Sequence, residues 1–481
     1  MNVHFEECWE KTKYESDHVL KLNGREIPYH TVCEDNFFYD EDGKAVATIY
    51  SYAYFRSDVR NAASRPVMFA YNGGPGSASL WLHLGLIGPR RVKLEDEIHL
   101  PTVPPFELED NPNCVLDLCD LVVVDMVGTG LGRLFDEKAK EQFYGSDADI
   151  RQLAMFVDGW LTRYGRHNSP VFLAGESYGT GRSALLAAEL LGGGPENQDT
   201  LGISVSGIML LGTYFYQPTP FAETVLNLPS MAATNCYHHP EGKPSLKEFV
   251  REAYEFAGGQ YLTGYIRGDE LPEQEKEKLV ERLAWFTGLK KTYLEQNWMN
   301  LNMREYMKRL LEDRHQVVGF YDSRYAWPDL PDVPDANVIA DDAAMGQYTP
   351  AYQAGFALLR DELNIRVERR SKGLAHGVNV QWDRKFKRNP GQALAGAMRR
   401  NPKLRVFFAS GLFDLCTTAG NARYLATHSR LDPERVTIGE YPSGHMAYLG
   451  NESAELLGKD LRSFILKTLG DREGGEKPCR E

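Results

Sequence analysis

The sequence predicts an α/β fold: a mostly parallel sheet flanked by helices and interrupted by a mostly helical insertion. Four short runs are almost continuously apolar, as in central strands that are buried on both faces, and helix-like segments lie between them. Such alternation gives a mostly parallel sheet with right-handed crossovers. The alternation stops near residue 214 and resumes near residue 385. The four runs are residues 66–71, 121–126, 170–175 and 206–212.

The composition is that of a globular protein, and the charge argues against two classes of partner. Of the 481 residues, 42% are hydrophobic and 25% are charged. The net charge of −13 disfavours binding to nucleic acid or to an anionic membrane, since both require a basic surface. No apolar run approaches the roughly 18–20 residues that span a bilayer. We expect neither a nucleic-acid nor a membrane partner; the sequence leaves the oligomeric state open.

The N-terminus and the cysteines predict a cytoplasmic protein with reduced thiols. No basic start followed by an apolar stretch is visible, so no secretory signal is predicted. The seven cysteines are odd in number and have no repeated spacing, which argues against a disulfide framework. Neither a CxxC pair nor an HExxH run occurs, so we expect no metal ion, and no cofactor is indicated.

The first part of the chain predicts antiparallel hairpins and then helices around a buried strand. Residues 18–55 alternate apolar and polar side chains around an Asn-Gly turn at 23–24 and an Asp-Gly turn at 42–43. Helices are predicted over residues 147–164 and 182–193.

The middle of the chain predicts a helical cap inserted into one sheet-based domain. Residues 214–384 are rich in charge and helix formers, give no strong strand signal, and contain a Pro-rich loop at 327–337. The core is therefore divided into residues 1–213 and residues 385–470. We expect the tail, residues 471–481, to be disordered.

After the insertion, the α/β alternation returns. Residues 404–411 and 435–444 are predicted strands, and residues 390–402 and 453–470 are predicted helices. The last predicted strand and the last predicted helix are joined by a glycine-containing loop.

One serine lies where an apolar run turns into a helix-like run. Ser177 stands between Gly175 and Gly179, which leave room for a sharp strand-to-helix turn that holds the hydroxyl above the sheet edge. The pattern predicts a nucleophile. The alternative is a serine in an ordinary loop between a strand and a helix.

A serine nucleophile needs a base, and the base needs a carboxylate to orient it; on such an elbow both follow the serine along the chain. Of the histidines downstream, only His445 lies on the loop between the last strand and the last helix. His428 falls in or near a helix. Asp414 follows the strand at 404–411, whereas Asp432 is better explained as a turn or helix cap. The downstream histidines are His238, His239, His315, His376, His428 and His445.

Acyl transfer also needs amide donors for the developing oxyanion. One is the N–H of the residue after the nucleophile, Tyr178. The second comes from a loop after an early strand, where the run NGGPG at residues 72–76 is found. Gly73 and Gly74 would allow close backbone approach to a substrate.

Five segments together resemble the serine carboxypeptidase family, of the carboxypeptidase C or cathepsin A type, and within it the bacterial-type branch. They occur in the order and spacing of that family and cover the whole core. The family removes single residues from peptide C-termini and has an α/β-hydrolase core with an inserted helical domain. The segments are residues 72–92, 111–132, 175–182, 410–418 and 443–450.

The resemblance implies a role for each matching residue. Ser177 would be the nucleophile, His445 the base and Asp414 the acid that orients it. The backbone N–H groups of Gly74 and Tyr178 would form the oxyanion hole.

The resemblance also implies a site for the terminal carboxylate of the substrate, formed by Asn72, the backbone of Gly73 and Glu176. A carboxyl kept protonated by burial can donate a hydrogen bond to a carboxylate. A second glutamate of the family is replaced by Leu86, which removes the like-charge interaction that would raise the pKa of Glu176.

With no second glutamate, a positive side chain is the alternative way to hold the terminal carboxylate. The candidates in the sequence are Arg90, Arg91 and Arg182.

We therefore predict a serine carboxypeptidase that hydrolyses the C-terminal bond of peptides with a free C-terminus. The alternatives are an esterase or acyltransferase of the same fold acting on small acyl substrates, and a catalytically silent binding protein. Relatives are often secreted, vacuolar or lysosomal, which stands as the alternative to a cytoplasmic location.

Overall fold

A ten-stranded sheet runs through the molecule. The computed structural model describes residues 10–192, 200–215, 221–330, 341–385 and 387–470. The predicted disordered tail, residues 471–481, lies outside the described residues. The strands are β1 Lys13–Leu22, β2 Arg25–Tyr39, β3 Ala45–Arg56, β4 Val67–Tyr71, β5 Arg90–Val92, β6 Leu108–Asp110, β7 Asp120–Asp125, β8 Arg133–Leu134, β9 Val171–Glu176, β10 Val205–Leu211, β11 Gln316–Val318, β12 Ala326–Pro328, β13 Arg405–Gly411 and β14 Val436–Tyr441.

The sheet changes from antiparallel to parallel along its width. Its order is β1-β2-β3-β7-β4-β9-β10-β13-β14, with β8 paired to β3. Strands β1, β2 and β3 are antiparallel neighbours, and β7 pairs antiparallel with β3. From β7 to β14 every neighbouring pair is parallel. The predicted N-terminal hairpins and the mostly parallel α/β sheet are confirmed.

The central strands are buried on both faces, as their apolar runs predicted. In β9, Phe172 and Ala174 belong to one hydrophobic cluster, and Val171 and Leu173 belong to the cluster on the opposite face. Because side chains alternate across a strand, a continuous apolar run supplies both faces at once.

Helices cover the sheet and form the region between β10 and β13. A π-helix, His83–Ile87, continues α1. The α-helices are α1 Leu80–Leu82, α2 Ser146–Arg163, α3 Tyr178–Leu190, α4 Leu228–His238, α5 Leu246–Phe256, α6 Leu262–Arg267, α7 Glu273–Thr287, α8 Lys291–Gln296, α9 Met303–Arg309, α10 Ala343–Glu362, α11 His376–Gln381, α12 Pro390–Arg400, α13 Ala419–His428 and α14 Asn451–Gly470.

The region predicted as an insertion has two kinds of packing. Side chains of α4 to α9, among them Phe249 and Phe286, form a hydrophobic cluster of their own. Helix α10 instead packs Tyr348 and Tyr352 into the cluster on one face of the sheet. The boundaries 214–384 stay a prediction.

The Pro-rich segment was predicted as a loop, and this is wrong at its start. Trp327 and Pro328 belong to β12, which pairs antiparallel with β11. Neither short strand was predicted, because three residues are too few to show a period. Residues 331–340 of the segment lie outside the described residues.

Among the helices of the described residues, none is both long and apolar enough to cross a membrane.

Candidate active site

Ser177 occupies a strained turn between β9 and α3. Its φ of 58° and ψ of −124° lie in a region that residues other than glycine rarely adopt. The turn is held because the Ser177 N–H donates to the carbonyl of Leu211 at 2.8 Å. A side chain at Gly175 has no room, since its Cβ would lie 2.1 Å from the carbonyl oxygen of Gly179. The local sequence pattern thus produces a sharp strand-to-helix elbow.

Asp414 and His445 meet beyond the carboxyl ends of β13 and β14. Nδ1 of His445 donates to Oδ2 of Asp414 at 2.8 Å, and both side chains are buried. Burial opposes protonation of His445, but the Asp414 carboxylate outweighs it and raises the pKa of His445 above its ordinary value. With Nδ1 committed to Asp414, Nε2 is the nitrogen available to a substrate or a nucleophile.

Thr417 is a member of this group that the sequence interpretation missed. Its hydroxyl donates to Oδ2 of Asp414 at 2.6 Å and lies 3.1 Å from Nδ1 of His445. Oδ1 of Asp414 accepts the backbone N–H groups of Cys416 and Thr417 at 2.8 and 2.9 Å. The available signal was a threonine three residues after Asp414, which is the spacing of a side chain that closes a turn.

The loops after β13 and β14 together offer ligand atoms that a metal ion could use. One atom each from Asp414, Cys416 and His445 lies within 4.8 Å of the others. The aspartate and histidine atoms already hydrogen-bond to each other at 2.8 Å, so this set is better described as a hydrogen-bonded group.

The alternative histidine and the alternative acid lie elsewhere. His428 is exposed at the end of α13, and its ring stacks on Tyr424 with centroids 3.8 Å apart. Asp432 accepts the N–H of Glu434 at 3.1 Å and caps a short helix. Neither lines the cavity that contains Ser177.

Ser177 and His445 line one cavity of about 320 Å³. The cavity lies at the carboxyl ends of the parallel strands, where the loops that follow β4, β9, β13 and β14 converge. Its lining residues are Asn72, Gly73, Gly74, Ser77, Trp81, Glu176, Ser177, Tyr214, Tyr321, Met345, Leu374, Cys416, Thr417, His445 and Met446.

The glycine loop after β4 packs directly on the elbow. A Cβ at Gly73 would lie 2.5 Å from the backbone N of Tyr178 and 2.7 Å from the carbonyl oxygen of Glu176, so only glycine permits this approach. Gly74 has a φ of 102°, a left-handed conformation that side chains disfavour. The structure therefore brings together the two segments that were predicted to supply amide donors.

Glu176 and Asn72 form a buried pair at one end of the cavity. Nδ2 of Asn72 donates to Oε1 of Glu176 at 2.7 Å. The amide of Asn72 is oriented by the N–H of Leu82, which donates to Oδ1 at 3.0 Å. Burial raises the pKa of Glu176 to about 7. The carboxyl can thus remain protonated in mildly acidic solution without a second carboxyl beside it.

The three arginines considered for the terminal carboxylate form ion pairs with other groups. Their partners are carboxylates outside the cavity, and none of the three lines it. The pairs are Arg90 with Asp110 at 2.7 Å, Arg91 with Glu109 at 2.6 Å, and Arg182 with Asp149 at 2.6 Å. Among the residues that line the cavity, Glu176 and Asn72 remain the predicted groups for the terminal carboxylate.

Residues 40–243 match the family model described as serine carboxypeptidase. Over this segment the chain is similar to the serine carboxypeptidases. The match contains the glycine loop and Ser177 and ends before Asp414 and His445. The predicted family is confirmed, and with it the enzyme class, a serine-type carboxypeptidase among the hydrolases.

One solved structure extends the similarity in fold to most of the chain. Kex1(delta)p, a prohormone-processing carboxypeptidase from Saccharomyces cerevisiae, is 13% identical with a TM-score of 0.54, and the alignment covers 92% of each chain. A putative aryl esterase from Burkholderia cenocepacia is 13% identical with a TM-score of 0.38, covering 91% of this chain and 99% of the esterase. Esterase E22 is 13% identical with a TM-score of 0.39, covering 91% and 100%. No curated protein matches the chain in sequence. The α/β-hydrolase fold is confirmed.

Proposed function

We propose that the protein hydrolyses the C-terminal peptide bond of peptides through an acyl-enzyme on Ser177. The observation that carries this proposal is the convergence in one cavity of three features: the strained Ser177, the His445–Asp414 hydrogen bond of 2.8 Å, and the buried carboxyl of Glu176. The first two features would supply the nucleophile and its base, and the third would recognise the free C-terminus of the peptide.

His445 would act first as a base and then as an acid. As Oγ of Ser177 attacks the carbonyl carbon, its proton passes to Nε2 of His445. That proton then passes to the nitrogen of the departing amino acid, and the rest of the peptide stays on Oγ as an ester. Water repeats the sequence and releases the shortened peptide. Asp414 holds Nδ1 and stabilises the positive imidazolium in both steps.

The developing oxyanion would be held by the N–H groups of Gly74 and Tyr178. Tyr178 is the first residue of α3, where the helix dipole also favours negative charge. The contact between Gly73 and the elbow supports this role, because it holds the glycine loop beside Tyr178.

Specificity for a free C-terminus would come from Glu176, Asn72 and the backbone of Gly73. A neutral Glu176 donates a hydrogen bond to the terminal carboxylate, whereas an ionised one repels it. The pKa of about 7 makes the neutral form available in mildly acidic solution.

The test is a set of blocked dipeptides that differ only at the C-terminus: free acid, amide and ester. We expect hydrolysis of the free acid to be strongly preferred at mildly acidic pH, together with covalent labelling of Ser177 by a fluorophosphonate. His428→Ala serves as the matched control for His445→Ala, and only the latter should abolish labelling. Equal rates on all three substrates would favour the esterase or acyltransferase, and absence of labelling would favour the silent binding protein.

A further inference from the structure

Among the described residues, two buried polar atoms whose side chains interact with each other lack a hydrogen bond of normal geometry. They are Oε2 of Glu176 and the hydroxyl of Tyr448. Both side chains are only 3% exposed. Buried polar groups are almost always paired, so two unpaired ones in the same neighbourhood require an explanation.

Tyr448 packs on the backbone of the π-helix, and its hydroxyl interacts with the Glu176 carboxyl. A Cβ at Gly85 would lie 2.1 Å from Cε2 of Tyr448, so the ring rests directly on this glycine, next to Leu86. The same Cβ would lie 2.9 Å from the hydroxyl of Tyr352. The ring of Tyr448 thus lies beside position 86, where the chain has the apolar Leu86 in place of the family's second glutamate.

The charges around the pair determine which atom donates. Burial, and after it the Glu176 carboxyl, raise the pKa of Tyr448 well above its ordinary value, so its hydroxyl keeps its proton. Oε1 of Glu176 already accepts from Asn72. Oε2 is therefore the oxygen that can carry the carboxyl proton and, at the same time, accept from Tyr448.

We propose that Tyr448 is a positioning residue for Glu176: its hydroxyl donates to Oε2 and directs the carboxyl O–H toward the terminal carboxylate of the substrate. Tyr448 does not line the cavity, so it acts through Glu176 and not on the substrate. A hydrogen bond accepted by Oε2 makes the Glu176 O–H a stronger donor. This inference rests on the proposed carboxypeptidase function. It makes Tyr448 the hydrogen-bond partner of Glu176, a role that the apolar side chain of Leu86 cannot fill.

The other titratable groups facing Glu176 bear on the test. His445 and Asp414 interact with it electrostatically from the loops after β14 and β13, and Tyr352 does so from α10. A substitution at position 448 leaves all three in place, so a change in the titration of Glu176 is attributable to the lost hydroxyl.

The experiment compares Tyr448→Phe with the wild type on free-acid and amide substrates across pH. Without the hydroxyl, Glu176 should hold its proton more tightly. The fall in kcat/KM on free acids should then move to higher pH by about one unit, the scale of one hydrogen bond to a charged group. At acidic pH, kcat/KM on free acids should drop several-fold through KM, and activity on amides should not change. Tyr50→Phe is the matched control, because it removes another buried hydroxyl without a partner, on β3.

Each result decides a separate question. Suppose the wild type prefers free acids, but Tyr448→Phe does not move the fall in kcat/KM at high pH (the descending limb of the pH profile). Tyr448 then does not position Glu176, and the proposed function stands. Equal losses on acids and amides indicate a merely structural role and overturn the inference. If the wild type has no preference for free acids, the proposed function itself is wrong.

A second variant keeps the test decisive if Tyr448→Phe does not fold. Incorporation of 3-fluorotyrosine at position 448 preserves the ring and makes the hydroxyl a stronger donor. The descending limb should then move toward acidic pH, and an unchanged limb would overturn the inference.

Discussion

Two buried carboxyl groups have opposite surroundings: Glu176, which lines the cavity, and Asp414, which lies behind the cavity residue His445. Asp414 accepts two backbone N–H groups at Oδ1 and the Thr417 hydroxyl and His445 ring at Oδ2. Glu176 accepts one hydrogen bond of normal geometry, from Asn72, and within the described residues its second oxygen has no partner of normal geometry. The two groups differ in how completely the protein satisfies them.

Under the proposed function, the Asp414 region is complete before substrate binds, and the Glu176 region is completed by the substrate. The donors surrounding Asp414 fix the position of its side chain, which would orient His445. Burial raises the pKa of Glu176 to about 7. Below that pH the carboxyl is mostly protonated, and its O–H is available for a ligand. Substitutions on the Asp414 side should therefore damage the chemistry, and those on the Glu176 side should alter the choice of substrate.

The largest effect is expected for Asp414→Asn. An amide in place of the carboxylate favours the wrong tautomer of His445, and kcat should fall by about 10³- to 10⁴-fold on acids, amides and esters alike. Steady-state kinetics with matched thermal unfolding curves would measure this. A variant that kept its kcat would show that Asp414 is not the orienting acid.

The second-largest effect is expected in the pH dependence of kcat/KM, which Glu176→Gln should change. His445 must be neutral to act as a base, so activity rises with pH through its raised pKa. Glu176 must be protonated, so kcat/KM on free acids falls as pH rises through about 7. Two units above that pKa, the loss is about 100-fold. Glutamine cannot ionise and should abolish the fall; amides should not show it in either protein. A fall that persisted in Glu176→Gln would exclude Glu176 as its source.

A smaller loss is expected for Thr417→Val, which removes one of the donors to Asp414 and keeps the shape of the side chain. We expect kcat to fall about tenfold with little change in KM, the size of one lost hydrogen bond to a charged group. The control is Thr427→Val on the exposed side of α13, which should behave as the wild type. Fluorophosphonate labelling rates would report the same loss independently of the substrate. An effect confined to KM would place Thr417 on the recognition side instead.

The smallest effect should come from the wall of the cavity. Met345 of α10 lines it without hydrogen-bonding to any proposed catalytic group. Met345→Ala should change KM by up to about tenfold, depending on the side chain at the scissile bond, and leave kcat unchanged. A panel of dipeptides with small and large apolar residues would measure the change. A uniform loss of kcat would show that this wall also holds the catalytic residues.

Much of the framework was determined by local sequence alone. The buried strands were predictable because a continuous apolar run supplies both faces of a sheet, as Phe172 and Leu173 of β9 do. The elbow at Ser177 was predictable because Gly175 and Gly179 leave a space that a side chain would fill. The loops carrying Asp414 and His445 could be placed because parallel strands bring their carboxyl ends to one edge.

Tertiary structure alone decided how the polar groups pair. That Tyr448 rests on Gly85 and that Arg182 is bound by Asp149 could not be read from the sequence. Such contacts join residues far apart in the chain, so neither the periodicity nor the composition of the sequence can predict them. The same holds for α10, which lies within the predicted insertion but whose Tyr352 packs into the cluster on one face of the sheet. Local sequence specifies which groups are present, and the packing of distant segments determines which of them are satisfied and which are left to bind a ligand.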